Sequence, residues 1–203
     1  AHCIELPTIK IAPPEDIAPL RQAIENITQY QWLVLTSVNG VKFFFDTLYE
    51  MGKDVRALGH LKFACIGPVT KERLKDYGIV SDILPDTYRA ESVVEAFSSV
   101  DIKGKKVLLP RAKVARTILP EELTKMGAEV DEVTAYETRL ASDGKQELIS
   151  LLENREIDAV TFTSSSTVSN FMTQIETVDA KSLLKDVVIA SIGPITSDTA
   201  ANL

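Results

Sequence analysis

The chain is poor in the residues that build metal centres and nucleophilic relays. It has two cysteines, Cys3 and Cys65, without CxxC spacing, and two histidines, His2 and His60, without ligand-like neighbours. A zinc site, a disulfide framework and a Cys-His nucleophile therefore lack their parts, and a reducing compartment, the cytoplasm, is the default. No apolar run approaches the ~20 residues of a membrane span; the longest, such as residues 187–192, have strand length. No signal peptide is visible. Positive charge is scarce too: 22 Lys+Arg against 29 Asp+Glu leave a net charge of −7, the opposite of the basic face a nucleic-acid binder needs. There is no GxGxxG after a strand, no GxxxxGK[ST] and no GxSxG elbow.

What is present is an ordinary globular chain of 203 residues, 45% hydrophobic and 25% charged, enough for one large domain or two small ones. A repeat favours two. Leu33 to Val41 (LVLTSVNGV) is echoed by Val160 to Val168 (VTFTSSSTV), the Thr-Ser pairs lying 127 positions apart, at 36 and 163. Ile66-Gly67-Pro68 is echoed by Ile192-Gly193-Pro194 at an offset of 126. Val41 with Val168, Phe44 with Phe171, Ala64 with Ala190 and Thr70 with Thr196 fall in the same frame, and Ala1 to Ile11 can be laid on Ala128 to Thr138. Two motifs in one register indicate a duplicated unit. By the same register, a strand and a helix are expected ahead of residue 1 and further chain after residue 203.

Along the chain, short apolar runs alternate with helical periodicity, the pattern of parallel α/β sheets. Thr8 to Ile11 reads as a β-like run stopped by Pro13-Pro14, and Asp16 caps a helix carrying Ile17, Leu20, Ile24 and Ile27. Strands are expected at Gln31 to Thr36, Leu61 to Ile66, Ile79 to Leu84, Lys106 to Leu109 and Glu129 to Val133. Helices are expected at Asn39 to Met51, from Pro68, at Glu91 to Phe97 and through Leu119, Leu123 and Met126. Thr134 to Arg139 forms a second linker strand, and the pattern restarts: helix Lys145 to Asn154, strand Ala159 to Thr163, helix Thr167 to Ile175, strand Val187 to Ile192, helix from Pro194.

In a parallel sheet, ligands collect where strand carboxyl ends lead into helix N-termini, whose free N–H groups suit carboxylates and phosphates. Thr36-Ser37, Ile66-Gly67-Pro68, Leu109-Pro110-Arg111, Thr163-Ser164 and Ile192-Gly193-Pro194 all fall there. At any one turn, helix capping and turn chemistry account for the residues just as well; it is their matched recurrence that points to a ligand. Arg89, Arg111, Lys113 and Arg116 offer local positive charge or a solvated surface. Tyr136 is a titratable hydroxyl in the linker, or a packed, strand-pairing tyrosine.

LVLTSVNGV at 33–41, ACIGPVT at 64–70, YRAE at 88–91, VLLPRAKVAR at 107–116, YET at 136–138, VTFTSSS at 160–166 and IGPIT at 192–196 run in order over nearly the whole chain. Together they resemble uroporphyrinogen-III synthase. The resemblance implies two similar parallel-sheet, flavodoxin-like α/β domains joined by a two-stranded β linker. Residues 1–7 with 140–203 form one domain, 15–132 the other, and 8–14 and 133–139 the linker. It also implies a cofactor-independent, metal-free cyclisation of the linear tetrapyrrole hydroxymethylbilane with loss of water and inversion of the last ring. The expected protein is a cytoplasmic monomer of heme biosynthesis that binds neither nucleic acid nor membrane, with other tetrapyrrole-pathway enzymes as candidate partners. Tyr136 matches the family's favoured candidate for assisting departure of the hydroxyl. Ser37, Asn39, Gly67, Thr70, Arg89, Arg111, Ser164, Ser166 and Thr196 are the residues expected to hold the substrate's eight carboxylates. The rival expectation is a non-enzymatic two-lobed small-anion binding protein.

Overall fold

The computed structural model describes residues 2–141, 143–176 and 179–203; Ala1, which the repeat sets opposite Ala128, lies outside them. The elements in chain order begin with β1 (Ile9–Ala12), α1 (Ala18–Glu25), β2 (Trp32–Leu35), α2 (Val38–Glu50), β3 (Lys62–Cys65) and α3 (Pro68–Lys75). They continue with α4 (Ala90–Phe97), β4 (Lys106–Ala112), α5 (Ile118–Lys125) and β5 (Glu129–Leu140). The last are α6 (Lys145–Glu153), β6 (Ala159–Phe162), α7 (Ser165–Ile175), α8 (Ala180–Leu183), β7 (Val188–Ser191) and α9 (Pro194–Ala201). The chain divides into two compact units, residues 11–138 and residues 1–10 with 139–203.

The five-stranded sheet has the order β1-β5-β4-β2-β3, and in the larger unit β2 pairs in parallel with both β3 and β4, as β4 does with β5. Strand residues alternate between faces. Leu33, Leu35, Phe63, Cys65, Leu108 and Val133 join Leu20 and Ile24 of α1 and Val41, Phe44, Phe45 and Leu48 of α2. Trp32, Val34, Ala64, Val107 and Leu109 join Val93 and Phe97 of α4 and Leu119 and Leu123 of α5. Helices on both sides are why β2 reads as an unbroken apolar run rather than an alternating one. From β2 the chain winds outward to β3, and from β4 it winds the other way to β5. The topological switch point therefore lies between β2 and β4, the usual place for a ligand in such a sheet.

In the smaller unit β6 pairs in parallel with β7, from Ala159 opposite Val188 to Phe162 opposite Ser191. Its core is Leu148, Leu152, Phe162, Val168, Phe171 and Ile175.

Four expectations change. The strand at Ile79 to Leu84 shrinks to a single bridge between Ala64 and Ile83, because the Asp82 carboxylate accepts the Phe63 N–H at 2.8 Å and replaces a ladder bond. β4 continues past Leu109 to Ala112, with Pro110 inside it. The last β2–β4 pair is Leu33 with Leu108, so the proline sits where no partner strand on that side needs its missing N–H. Glu129 to Leu140 is one strand of 12 residues rather than a core strand followed by a separate linker strand. Finally, the residue capping α1 is Ile17, while the Asp16 carboxylate accepts the Ala18 N–H at 2.9 Å from one position earlier.

Candidate functional site

The larger unit gathers Ser37, Gly67, Arg111 and Tyr136 from the carboxyl-end segments of its four parallel strands. Ser37 follows β2 and caps α2: its backbone is extended and its Oγ accepts the Gly40 N–H at 2.9 Å. Asn39, half-buried, is the second residue of that helix. Gly40 has a steric reason to be glycine, since a Cβ there would lie 3.2 Å from the Pro110 carbonyl oxygen and 3.2 Å from Ser37 Oγ. The first turn of α2 lies so close to the Pro110 carbonyl of β4 that a side chain at this position would be crowded.

Tyr136 reaches the same place through an irregularity in β5. Arg111 pairs with Thr134 but Ala112 with Tyr136, so Ala135 is an extra residue. A bulge shifts the alternation by one. Val133, Ala135 and Tyr136 accordingly all face the α1–α2 layer. Tyr136 is 9% exposed, its ring stacks on Phe43 of α2 at 5.8 Å between centroids and 18° between planes, and its hydroxyl lies 2.9 Å from Ser37 Oγ. The tyrosine that the sequence leaves alone in a linker has a hydroxyl partner 99 residues away, and it lies within the larger unit.

Arg111 is not at a free turn, as expected, but on β4, and only 6% exposed. One Nη donates to the Arg116 carbonyl, folding the loop 112–117 back on the strand, and Nε lies 3.6 Å from a Glu132 carboxylate oxygen. Nε and the other Nη have no hydrogen-bond partner among the described residues, which makes Arg111 a buried cation with donors to spare. Beside it, Lys113 pairs with the buried Glu137 at 3.1 Å. Gly67 caps α3, and a Cβ there would touch the Tyr88 ring at 3.4 Å. Thr70, the third residue of α3, is buried, and Arg89 is the exposed cap of α4.

The smaller unit repeats the arrangement with different chemistry. Ser164 caps α7 in a full capping box: its Oγ accepts the Thr167 N–H at 3.2 Å while its own N–H donates to Thr167 Oγ1 at 3.2 Å. Ser166 Oγ lies 3.0 Å from Ser164 Oγ. Gly193 caps α9, Thr196 is buried in its first turn, and Ser165 Oγ donates to the Ile195 carbonyl at 3.3 Å, tying the two turns together. The repeat therefore holds in the backbone, whereas the phenol, the stacked phenylalanine and the buried arginine belong to the larger unit.

A cavity of about 270 Å³ lined by Tyr30, Lys106, Glu129, Val130 and Asp131 lies at the other, amino-terminal end of β4 and β5. There the Tyr30 hydroxyl donates to the Asp131 carboxylate, so these polar groups satisfy each other. Among the described residues no group of three or more His, Cys, Asp or Glu is placed to hold a metal ion, and no helix is long and apolar enough to cross a membrane.

Two features of the candidate site were missed from sequence. Phe43 reads only as a helix residue, and no sequence signal marks the bulge at Ala135. The one clue to Gly40 is that its counterpart in the repeat is Thr167 rather than glycine.

The family model described as Uroporphyrinogen-III synthase HemD matches residues 1–203. The uroporphyrinogen-III synthase of Synechococcus elongatus is 35% identical over 100% of this chain and 78% of its own length. The porphyrin biosynthesis protein HemD of Ruminiclostridium josui is 30% identical over 90% of this chain, which spans 36% of that longer protein. Among solved structures, a mutant uroporphyrinogen III synthase of Thermus thermophilus superposes with a TM-score of 0.57 at 16% identity, over 97% of this chain and 77% of that one. The synthetase of Helicobacter pylori gives 0.54 at 19%, over 96% and 80%. At such identities these likenesses speak for the two-domain α/β fold alone. Because the family model spans every residue and the cyanobacterial enzyme is matched over more than three-quarters of its length, this chain belongs to the uroporphyrinogen-III synthase family, a family of cyclising lyases.

Proposed function

We propose that the chain cyclises hydroxymethylbilane to uroporphyrinogen III, with inversion of ring D and loss of water, and that Tyr136 assists departure of the hydroxyl. Family membership supports the reaction over non-enzymatic anion binding. The observation that carries the role of Tyr136 is its place at the switch point, fixed by Ser37 at 2.9 Å and stacked on Phe43.

In this reading the carbon–oxygen bond of the hydroxymethyl group breaks as a pyrrole nitrogen supplies electrons. The phenol of Tyr136 gives its proton to the leaving oxygen, which departs as water. The resulting azafulvene cation closes through a spiro intermediate, and the phenolate recovers a proton from the closing ring system. The remaining work is positioning a flexible chain so that inversion precedes closure. Substrate carboxylates meet Gly67 and Thr70 at the start of α3, Asn39 in α2, Arg89 and the unfilled donors of Arg111 in the larger unit. In the smaller unit they meet Ser164, Ser166 and Thr196. The helix N-termini explain how a chain of net charge −7 holds an anion. The enzyme acts without metal or organic cofactor, as a cytoplasmic monomer.

The test is to supply hydroxymethylbilane and identify the isomer formed. Type III product is expected, and Tyr136→Phe should lower turnover more than about tenfold with the fold intact. Only the spontaneous type I product from the parent chain would refute the reaction; near-normal turnover in Tyr136→Phe would reduce the tyrosine to a structural residue.

A further inference from the structure

The two copies of the cap differ in what the serine hydroxyl is free to do. A hydroxyl has one proton and two lone pairs. In the smaller unit Ser164 is enclosed by its own first turn: it accepts from the Thr167 N–H at 3.2 Å, and the Ser166 and Thr167 hydroxyls stand 3.0 and 3.3 Å from its Oγ. In the larger unit the N–H of Gly40 takes one lone pair of Ser37 at 2.9 Å, but Gly40 has no hydroxyl to compete. The only side-chain group hydrogen-bonded to Ser37 Oγ among the described residues is the Tyr136 hydroxyl, at 2.9 Å.

We infer that Ser37 is the positioning residue of Tyr136, donating its proton to the phenol oxygen so that the phenol's own proton is turned outward to a leaving hydroxyl. The inference rests on the role given to Tyr136 above and sharpens it, moving Ser37 from carboxylate binding to control of the proton donor. Three observations carry it. Ser37 already accepts from the Gly40 N–H at the positive end of α2, which polarises its hydroxyl and makes it a better donor than acceptor towards Tyr136. As the phenol loses its proton, negative charge grows on the oxygen that Ser37 faces, so the bond strengthens along the reaction. Phe43 stacks on the ring and the bulge fixes its backbone, leaving the hydroxyl torsion as the freedom that Ser37 must settle. The proton inventory closes: the proton leaving Tyr136 ends in water, Ser37 keeps its own, and the phenolate is reprotonated from the closing ring.

The test is a double-mutant cycle on hydroxymethylbilane with Ser37→Gly, Tyr136→Phe and both together, corrected for spontaneous type I cyclisation. Glycine is nearly as good a cap as serine, so Ser37→Gly should melt close to the parent. It should lower kcat about three- to tenfold, a fraction of what a general acid supplies, and change KM less than about twofold. On the Tyr136→Phe background it should have no further effect, because the two substitutions remove one interaction. Ser37→Thr, which keeps hydroxyl and cap, should restore kcat to within about twofold. A raised KM with normal kcat would overturn the inference and return Ser37 to substrate binding, as would two losses that multiply in the double variant. Normal turnover in Tyr136→Phe alone would instead sink the role of the tyrosine, and the inference with it.

Discussion

Replacing Gly40 with alanine is expected to slow the enzyme without the gain in stability that a helical Gly→Ala exchange usually brings. Helix propensity alone favours alanine by about 0.8–1.0 kcal/mol. Against it, the new Cβ would stand 3.2 Å from both the Pro110 carbonyl and Ser37 Oγ. The first is backbone of β4, held in register with β5, and cannot yield cheaply; the second can, by moving away from Tyr136. Overpacking of this kind costs about 1–3 kcal/mol, so the balance falls between about 0 and 2 kcal/mol of net destabilisation. At about 2–4 °C per kcal/mol for a chain of this size, the melting temperature should fall by up to about 8 °C. A shift of a few tenths of an ångström in Ser37 Oγ stretches its 2.9 Å contact with Tyr136 towards the limit of a useful hydrogen bond, and kcat should fall severalfold. The assay is a thermal melt followed by circular dichroism, paired with steady-state turnover. The matching exchange in the smaller unit, Thr167→Ala, provides the contrast: it removes one half of a capping box and should cost stability of about 1 kcal/mol. A Gly40→Ala variant that melts higher than the parent, with unchanged kcat, would refute the crowding on which this prediction stands.

Burial pushes the Cys65 thiol from its ordinary 9.0 up to about 11, so the folded state holds the thiol proton more tightly than the unfolded chain does. The associated stability is fully present below pH 9.0, is lost as pH rises and is gone above about 11. Its total is on the order of 3 kcal/mol, and denaturant titrations across that window should show a steeper loss for the parent than for Cys65→Ala; equal slopes would contradict the assignment. At the amino-terminal end of the sheet, Tyr30→Phe removes the hydroxyl that donates to Asp131. It should lower stability by about 1–2 kcal/mol, at the modest end for a charged acceptor because Asp131 is exposed. The urea midpoint should move with the slope unchanged, and no shift would mean that solvent replaces the bond.

The periodicities were enough to place most of the elements, because burial on both faces writes itself into a strand as an apolar run and on one face into a helix as a stripe. Val41, Phe44 and Leu48 declare the helix that Ser37 begins, and Glu91 to Phe97 likewise. The failures have local causes. Ile79 to Leu84 carries the apolar content of a strand, yet a single carboxylate, Asp82, takes over the ladder bond that would have extended it. Leu109-Pro110-Arg111 looks like a turn because proline usually ends a strand, but β2 stops short of it and leaves the edge open. The Ser37, Gly67 and Thr70 positions could be listed from their recurrence in the second copy; Phe43 could not, being one apolar residue among three.

Sequence by itself determined the family, the α/β class, the duplication and the strand-to-helix turns of both copies, since each of these is carried by local residue type and fixed spacing. Only the tertiary structure decided which hydroxyls act together. Whether Tyr136 faces Ser37 depends on one extra residue in β5, Ala135, that reverses the side the ring points to, and on an approach of the first turn of α2 to Pro110 of β4 that crowds any side chain at Gly40. The Ser37–Tyr136 contact joins residues 99 positions apart; it is set by sheet register and helix packing, which no window along the chain contains.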